Sequence, residues 1–519
     1  MLSRRDFLHL AAGAGISLAL PGCTSSPPLR RDTFPDFGGP DQPYLGLATS
    51  MRQEHDYEAV VEGKVPHELR GTFYRIGPGL FDRDGLRRRT LLDGDGMVQS
   101  FLFHDRGVRY RNRFVRTKRF VEEEAAGRFL YPTWCTQAPG GLLANFWRAG
   151  EVTSQASVTV YRVNGRLYAF DEGSLPYELD PVNLATVGET SFGLPRDLTV
   201  YAAHSKVDGQ NGDWLHFGIH FGPDPTLHVT IFDHGVKLSG HRSFPLPRHV
   251  YMHDWFVTDR WLVFNFQPLE IHVWGFLLGL RSMADSLRWN PGTGNILMLL
   301  ERTGDAVPVY IETKARFMWH SVNAYARKGE IIADFVGYDN PDHLIGRDSA
   351  AFAIMRGEKG RHESTGMLRR YVIDPARKSV AEELIGGSNS EWPRINEHHR
   401  CHGYRFAYIA RERPGEFFWS GISRVDTTTG AISAFEFVSK EYCSEPVFIP
   451  IPGKSYAPDD PEEPGWVFTE VYDSGSRTSY LAVLRADRLA DGPVARIRLS
   501  HHAPFSYHGW WSEALPGNP

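Results

Sequence analysis

Four histidines in this chain have the residue type and the surroundings that suit metal chemistry: His204, His253, His320 and His508. They stand in Tyr-Ala-Ala-His-Ser-Lys, Tyr-Met-His-Asp-Trp, Trp-His-Ser-Val-Asn-Ala-Tyr and Tyr-His-Gly-Trp, in that order. A neutral imidazole is a good ligand for Fe(II), because its softness lies between that of a thiolate and that of a carboxylate. Four such ligands keep the ion at its full charge and leave two octahedral positions open, one of which dioxygen could occupy.

The segments that carry these histidines are far apart in sequence, with successive separations of 49, 67 and 188 residues. No single helix or hairpin can bring such segments together. A closed and roughly radial fold is the simplest architecture in which they meet at one point. A propeller, whose inner strands all face one axis, is such a fold.

Short β-like runs broken by tight turns dominate the chain from about Tyr44 onward. Asn164-Gly165 is a strong two-residue hairpin signal, because both positions favour a positive φ. Lys328-Gly329 and Thr258-Asp259 separate further pairs of β-like runs, and 51 glycines and 34 prolines are spread throughout. We therefore predict an all-β chain, in which the best helix candidate spans Arg281 to Arg288. No fixed repeat is visible, so periodicity alone leaves a sandwich, a barrel and a propeller open.

Composition limits the class of protein and its partners. With 41% apolar and 23% charged residues, the chain has an ordinary globular composition and can bury a large core. Its net charge of -5 and pI near 6.5 provide no basic field, so we expect no nucleic-acid partner. Cys135, Cys401 and Cys443 are too few for a disulfide framework, and they form no Cys-x-x-Cys pair that would support a zinc ribbon or an iron–sulfur cluster.

In order, spacing and flanking residues, the four histidines resemble the iron-binding histidines of the carotenoid cleavage oxygenase family. That family contains carotenoid and apocarotenoid oxygenases, lignostilbene dioxygenases and the vertebrate retinoid isomerohydrolase. Two further segments, Gly71–Gly79 and Leu92–Met97, resemble its early signature, and we interpret their glycines as residues of tight turns. The resemblance covers about residues 43–511. It implies a seven-bladed β-propeller with one Fe(2+) per chain on its axis and a dome of loops and helices over the site.

Three glutamates lie in segments that resemble the glutamate motifs of the same family: Glu172 in Ala-Phe-Asp-Glu-Gly, Glu391 in Glu-Trp-Pro-Arg-Ile-Asn and Glu445 in Ser-Glu-Pro. A carboxylate that accepts the second N–H of a ligating imidazole fixes its tautomer and raises its basicity. The resemblance implies that three of the four histidines have such a partner, namely His253, His320 and His508. It leaves His204 without one.

The resemblance implies an Fe(II)-dependent dioxygenase that uses O2 to cleave a carbon–carbon double bond of an apolar conjugated substrate, giving two carbonyl products. The expected substrate is a carotenoid or apocarotenoid, and no side-chain acid, base or nucleophile is required. Cleavage of a lignin-derived stilbene is the alternative within the family, although the matching stretch, Val152–Thr159, contains no lysine to hold a phenol. Isomerisation is a third option. A non-catalytic periplasmic propeller that binds a ligand is the alternative from another class.

Two other groups of histidines could be mistaken for metal sites. Glu397-His398-His399-Arg400-Cys401-His402 has the residue types of a metal cluster but not the spacing of a zinc motif. His501 and His502 lie close to His508 in sequence. We expect neither group to bind the metal.

Residues 1–23 are predicted to be a targeting segment, because Ser3-Arg4-Arg5-Asp6-Phe7-Leu8 is a twin-arginine signature followed by an apolar stretch. Leu20-Pro21-Gly22-Cys23 resembles a bacterial lipoprotein cleavage box, and whether Cys23 is lipidated stays open because Pro21 is unusual there. Residues 24–43 are rich in Ser, Pro and Asp and are interpreted as a tether, which leaves 44–519 as the propeller oxygenase domain. We therefore expect an exported, periplasmic protein.

The segment Val273–Leu280 is apolar and is followed directly by Arg281. It is too short to span a bilayer, which takes about 20 residues. By resemblance, the segment after the second histidine contributes to an apolar patch around the mouth of a substrate tunnel. We expect peripheral membrane contact through this segment, with burial in the core as the alternative. The residues expected at the membrane are Val273, Trp274, Phe276, Leu277 and Leu278.

Overall fold

The computed structural model describes residues 26–513 except 32–35, 149–150, 152, 196–197, 222–223, 361, 388 and 414–415. The predicted targeting segment, residues 1–23, lies outside the described residues. Seven antiparallel sheets account for most of the strands, and they follow one another along the chain as the blades of a propeller. The prediction of an all-β, seven-bladed propeller is therefore confirmed.

Within each blade the strands lie side by side from the inner edge, next to the axis, to the outer edge. In that order, blade 1 contains Gly509–Ser512, Gly71–Leu80, Asp95–His104, Gly107–Phe114 and Asp56–Glu58; blade 2 contains Thr159–Val163, Arg166–Phe170, Tyr177–Leu179 and Thr186–Glu189. Blade 3 contains Lys206–Val207, Trp214–His220, Thr226–Phe232 and Leu238–Pro245; blade 4 contains Phe256–Val257, Trp261–Phe266, Asn295–Glu301 and Val309–Thr313. Blade 5 contains Phe317–Arg327, Glu330–Tyr338, Met367–Asp374 and Ser379–Gly386; blade 6 contains Ser390–Arg394, Phe406–Glu412, Trp419–Asp426 and Ile432–Glu436. Blade 7 contains Glu441–Cys443 and Val447–Pro450 side by side, then Gly465–Asp473, Thr478–Arg485, Pro493–Arg498 and Val60–Gly63.

Several pairs of strands adjacent in sequence are joined by tight turns, as the turn residues predicted. Asn164 and Gly165 have φ values of 48° and 74° and connect the two inner strands of blade 2. Lys328 and Gly329, with φ values of 51° and 88°, do the same in blade 5. Positive φ at both central positions gives a two-residue turn a twist that matches the flanking strands.

Strands from the two ends of the domain close the ring. The last strand, Gly509–Ser512, pairs with Gly71–Leu80 and forms the inner strand of blade 1. The early strand Val60–Gly63 pairs with Pro493–Arg498 at the outer edge of blade 7. Blades 1 and 7 are thus each built from both ends of the domain, which holds the first and last blades together and fixes a common axis.

The apolar core lies between neighbouring blades, with one cluster of buried side chains at each of the seven blade interfaces. Alternation along a strand explains how one strand serves two interfaces. In blade 4, Leu262 and Phe264 pack toward blade 3, whereas Val263 packs toward blade 5. Successive side chains of a strand point to opposite faces, so each blade joins two clusters.

Helices occur in the insertions between strands and cover one side of the ring: Lys118–Ala126, Gly141–Trp147, Val273–Leu277 and Ala350–Ala353. Two small sheets accompany them: Leu29–Arg30 with Leu86–Arg87 and Asp82–Arg83, and Leu269–Ile271 with Leu287–Trp289.

The predicted helix at Arg281 to Arg288 is wrong, since that stretch contains only a 3₁₀ turn at Ala284–Ser286 and the start of a strand. The longest described helix, Lys118–Ala126, instead has clear end signals: Thr117 caps its N-terminus through the N–H of Phe120, and Gly127 ends it with a φ of 64°.

The glycines of the early signature mainly allow close packing, which corrects their interpretation as turn residues. Gly77 and Gly96 lie within strands of blade 1. A β-carbon at Gly96 would collide with the carbonyl oxygen of Ala156, and one at Gly77 would lie 2.6 Å from the α-carbon of Ser506. Both glycines thus allow close backbone approach, Gly96 to the segment before blade 2 and Gly77 to the segment before the inner strand of its own blade.

Parts of the segment interpreted as a tether contact the domain. Ser26 is fully buried, and its N–H donates to Gln137 Oε1 at 3.2 Å. Leu29–Arg30 pairs with Leu86–Arg87. Cys135, Cys401 and Cys443 are all buried and free.

Candidate metal centre

Each of the seven blades supplies one of the seven residues that sequence singled out. The four histidines lie in or just before inner strands: His508 in blade 1, His204 in blade 3, His253 in blade 4 and His320 in blade 5. The three glutamates come from the remaining blades: Glu172 after the second strand of blade 2, Glu391 in the inner strand of blade 6 and Glu445 between the two inner strands of blade 7.

Irregularities in two strands orient the side chains of His320 and Glu391. The pairing of Phe317–Arg327 with Glu330–Tyr338 shifts register at Trp319 and His320, and the pairing of Ser390–Arg394 shifts just after Glu391. Trp392 also has a φ of 58°, which is rare for a bulky side chain. A β-bulge turns a side chain away from the regular alternation, and at these two points it directs His320 and Glu391 toward the axis.

The four imidazoles meet on the axis of the ring. Their candidate ligand nitrogens all lie within 4.8 Å of one another, and every one of the four residues is buried. The ring of His204 lies 4.5 Å from that of His253, 5.1 Å from that of His320 and 4.6 Å from that of His508, centroid to centroid. Interplanar angles of 70° to 89° set the rings edge to face rather than stacked. This arrangement points several nitrogens at one small volume, as around a metal ion.

Three of the imidazoles are held at Nδ1 by a carboxylate. Nδ1 of His320 lies 2.6 Å from Glu391 Oε2, Nδ1 of His508 lies 2.8 Å from Glu445 Oε1, and Nδ1 of His253 is hydrogen-bonded to Glu172 Oε1. A carboxylate only accepts, so Nδ1 carries the proton in all three rings and Nε2 is left as a lone-pair donor.

His204 has no carboxylate partner among the described residues and is fixed through its backbone. The indole N–H of Trp255 donates to the carbonyl oxygen of His204 at 3.0 Å. Nε2 of His204 lies 3.0 Å from Nε2 of His253. Two nitrogens this close in a buried site are well placed to share one cation.

Burial and neighbouring charges set the protonation of the centre. Burial, together with the other imidazoles, lowers the pKa of His204 well below its usual range, and burial lowers the pKa of His508 to about 3 despite Glu445. Burial alone would raise the pKa of Glu445, but Arg394 and His508 outweigh it and lower that pKa to about 2. Burial alone would lower the pKa of His320, but Glu391 outweighs it and raises that pKa. Neutral His204 and His508 beside an ionised Glu445 are in the protonation state that metal binding requires.

The residues present fit a metal ion. His320 Nε2 is buried and has no hydrogen-bond partner among the described residues, while its Nδ1 is held by Glu391. A buried nitrogen lone pair without a partner costs free energy, and a cation on the axis would satisfy it. Across the described residues, these four histidines form the one group of metal-ligating side chains close enough to hold an ion.

A cavity of about 240 Å³ opens beside the centre and is bordered by His253, His320 and His508. Its walls are largely apolar and aromatic, and they include Trp134, Phe221, Trp319, Trp392, Phe505 and Phe276. The helices and loops on that side of the ring enclose it. A small molecule bound there would lie against the metal-facing histidines with little water around it.

Three aromatic side chains that sequence reasoning did not select shape the centre. The ring of Trp319 lies 5.0 Å from that of His253, and the ring of Trp392 lies 4.9 Å from that of His320. The hydroxyl of Tyr251 lies 3.1 Å from Nδ1 of His253. Each of these residues is within two positions of a selected histidine or glutamate, so the flanking motifs already contained the signal.

The two other groups of histidines, around His398 to His402 and at His501 and His502, make different contacts. His402 Nε2 lies 2.9 Å from Asp208, and His398 stacks on Tyr456. His501 stacks on His55 with the ring centroids 4.1 Å apart.

The carboxylate partners lead to a testable expectation. Replacing Glu172, Glu391 or Glu445 with glutamine should weaken metal binding about 10–100-fold, because the ligating ring loses its charged acceptor. The matched control is Glu463→Gln, since Glu463 is buried like Glu391 and Glu445 but accepts from the hydroxyl of Tyr408 at 3.0 Å, away from the centre. Metal titration of the four variants measures the effect. Equal affinities in all four would contradict a role for these carboxylates.

Comparison with known proteins identifies relatives along nearly the whole chain. Residues 48–513 match the profile of a family described as retinal pigment epithelial membrane protein. The chain is 29% identical to apocarotenoid-15,15'-oxygenase of Synechocystis sp., over 91% of this chain and 96% of that protein. It is 25% identical to isoeugenol monooxygenase of Pseudomonas nitroreducens, over 91% of this chain and 98% of that protein.

Structural comparison agrees with these matches. The crystal structure of cobalt-substituted Synechocystis apocarotenoid oxygenase aligns with a TM-score of 0.83 at 29% identity, covering 90% of this chain and 97% of that chain. That protein thus accepts a transition metal within the same fold. Because the family profile extends over residues 48–513, the chain belongs to the retinal pigment epithelial membrane protein family, which is that of the carotenoid cleavage oxygenases.

Proposed function

We propose that this protein is an Fe(II)-dependent dioxygenase that cleaves a carbon–carbon double bond of a carotenoid or apocarotenoid to give two carbonyl products. The observation that carries the proposal is the convergence of His204, His253, His320 and His508 at the wall of an apolar cavity. Neutral imidazoles suit Fe(II), and the carboxylates behind three of them leave Nε2 free to bind it. Bound iron would supply the activation of O2 and the bond-making at the alkene.

The protein's own residues would orient the substrate and keep water away. Trp319 and Trp392 lie against the histidines and line the cavity, so a flat conjugated chain can pack on their rings. No side chain is needed as acid, base or nucleophile. The similarity to an apocarotenoid oxygenase along 91% of the chain supports the choice of substrate class.

A stilbene or another phenolic alkene is the second candidate substrate, and two polar groups in the cavity favour it. The hydroxyl of Tyr507 is buried without a hydrogen-bond partner among the described residues. Burial raises the pKa of Asp171 to about 6, and this carboxyl also borders the cavity. Both could hold a phenol, and they compensate for the absence of a lysine in the matching stretch. Similarity to isoeugenol monooxygenase supports the same candidate.

One incubation separates these candidates. Purified, iron-loaded protein is given a carotenoid, an apocarotenal and a hydroxystilbene under ¹⁸O₂, and the products are read by mass. We expect two carbonyl fragments, each with one ¹⁸O, from the apocarotenal or the carotenoid. Cleavage of the hydroxystilbene alone would favour the second candidate. Binding without any product would favour the non-catalytic propeller, and a product of unchanged mass would favour isomerisation.

We also propose that the protein works at a membrane surface, next to the cavity mouth. Trp274 is 64% exposed, and Leu143 and Trp147 of the neighbouring helix are 72% and 67% exposed. The two helices lie side by side, because Gly279 is in close contact with the backbone of Asn145. Val273 does not take part, since it is buried in the core. Phe276 borders the cavity, so this patch would let an apolar substrate pass from lipid to the site.

Liposome flotation tests the membrane patch. In a chain that starts at Thr24, Trp147→Ser with Trp274→Ser should strongly reduce the fraction that floats, because two large apolar side chains no longer enter the bilayer. The matched control is Leu384→Ser with Val438→Ser, which removes exposed apolar side chains elsewhere. Equal flotation of the two double variants would contradict the proposal. No helix among the described residues is long and apolar enough to cross a bilayer.

Export to the periplasm by the twin-arginine route is proposed from the first 23 residues alone. The pair Arg4-Arg5 and the apolar stretch after it support the route, and Cys23 would add a lipid anchor if it is modified. Cell fractionation of the wild type and of Arg4→Lys with Arg5→Lys tests this. Both proteins in the same compartment would contradict export through that signal.

A further inference from the structure

A buried group of three residues joins the strands that carry three of the histidines. Lys206, Asp254 and Ser321 follow His204, His253 and His320 by two, one and one positions. Lys206 Nζ lies 2.7 Å from Asp254 Oδ1 and donates to Ser321 Oγ at 3.0 Å. Asp254 Oδ2 accepts from both the N–H and the hydroxyl of Ser321, at 2.7 Å each. We call Lys206, Asp254 and Ser321 the axial triad.

The axial triad is enclosed and lies on the far side of the histidines from the substrate cavity. Lys206, Asp254 and Ser321 are only 8%, 1% and 5% exposed. They line a second, polar cavity of about 40 Å³ that also borders His204, His320 and His508, and they do not line the substrate cavity. They therefore do not contact a substrate bound in that cavity, and any effect on the reaction has to pass through the histidines.

His204 is the histidine that most needs such support. The other three are fixed at Nδ1 by a glutamate, whereas His204 has no carboxylate partner among the described residues. Lys206 is the nearest charged residue along its strand, and its only salt-bridge partner among the described residues is Asp254, next to His253. Trp255, on the other side of Asp254, holds the carbonyl oxygen of His204. One short segment of blade 4 thus fixes the loop of His204 through two separate contacts.

We infer that Lys206 and Asp254 are positioning residues, which hold His204 in register with His253 and His320 in place of the missing carboxylate. The inference rests on the proposed binding of Fe(II) by these histidines. The charges of Lys206 and Asp254 cancel, so the pair fixes the geometry of three strands without adding net charge beside the histidines. An ordinary buried salt bridge would contribute to folding alone, and the test has to separate the two roles.

Four variants separate positioning from folding. Lys206→Met and Asp254→Asn each break the pair and leave one buried charge, whereas the double variant is neutral and restores the charge balance. Asp334→Asn is the matched control, because Asp334 is fully buried in blade 5 and binds Arg370 of the same blade at 2.7 and 2.8 Å and the hydroxyl of Tyr404, just before the second strand of blade 6, at 2.6 Å. Each protein is measured for melting temperature without metal, for the Kd of Fe(II), and for the electron paramagnetic resonance spectrum of its Fe(II)–nitric oxide adduct.

We expect both single variants to melt lower and to bind Fe(II) about 10–100-fold more weakly, with an altered spectrum. The double variant should recover much of the melting temperature but keep the weak binding and the altered spectrum, because charge balance returns while the anchor of His204 does not. Asp334→Asn should melt lower with the Kd and spectrum of the wild type.

Three results would overturn the inference. If the double variant has the Kd and the spectrum of the wild type, the ion pair contributes to folding alone. Loss of Fe(II) affinity in Asp334→Asn in proportion to its melting temperature would do the same. If the wild type itself binds no Fe(II), the proposed function fails first, and this result is distinguishable because it appears before any substitution is made.

Discussion

Replacing His320 with alanine should remove the metal and reduce cleavage to the level of the metal-free protein, a loss beyond the 10–100-fold range expected for the carboxylate partners. His320 contributes a buried Nε2 without a hydrogen-bond partner among the described residues, and its other nitrogen is fixed by Glu391. Alanine leaves one ligand position to water, and it leaves the buried Glu391 without its imidazole partner. The same result is expected for the other three histidines.

The matched control is His216→Ala. His216 is 1% exposed and packs among aromatic rings in blade 3, including Trp214 at 4.4 Å, so its removal also creates a cavity. It lies outside the group of four histidines, and we expect this variant to melt lower and keep its metal. Metal content by elemental analysis and single-turnover product formation measure both variants. Full iron retention in His320→Ala, or zinc in stoichiometric amount in the wild type, would contradict the assignment.

Much of the fold could be predicted because its signals are local. Asn164-Gly165 specifies a hairpin through its own backbone preferences, and the structure has that turn with positive φ at both positions. The four histidines predicted the topology in another way. Their segments are distant in sequence but have ligand-like surroundings, and a fold that returns repeatedly to one axis is the simplest one that brings them together. Seven blades, each supplying one of the seven selected residues, satisfy that requirement.

The parts that were not predicted depend on contacts between distant segments. The run from Arg281 to Arg288 has some helical character, but tertiary pairing takes its last residues into a strand with Leu269–Ile271. Gly96 looks like a turn residue in sequence, and only the approach of Ala156 explains it. The axial triad consists of three common residue types, and nothing in sequence shows that Lys206 meets Asp254. Propensity and motif describe neighbours along the chain, whereas these features join different blades.

Replacing Asp95 with asparagine should lower the free energy of unfolding by about 3–5 kcal/mol, which is the cost of removing one partner from a buried ion pair. Asp95 is 3% exposed and lies at the start of the middle strand of blade 1. Its Oδ1 accepts from Arg119 at 2.6 Å, and its Oδ2 accepts from Arg83 at 3.0 Å. Arg119 and Arg83 are themselves buried, so the substitution leaves positive charge inside the protein without its counterion.

Asp56→Asn is the matched control for this prediction, because Asp56 also accepts from two arginines, Arg109 at 2.8 Å and Arg111 at 2.7 Å, but at the surface. Its side chain is 26% exposed, and that of Arg109 is 43% exposed, so solvent screens the pair and the expected loss is about 0–1 kcal/mol. Urea unfolding followed by tryptophan fluorescence compares the two variants with the wild type. Similar losses in both would mean that the buried arginines find other partners, such as Glu123 beside Arg83, and that Asp95 does not anchor the helix Lys118–Ala126 to blade 1.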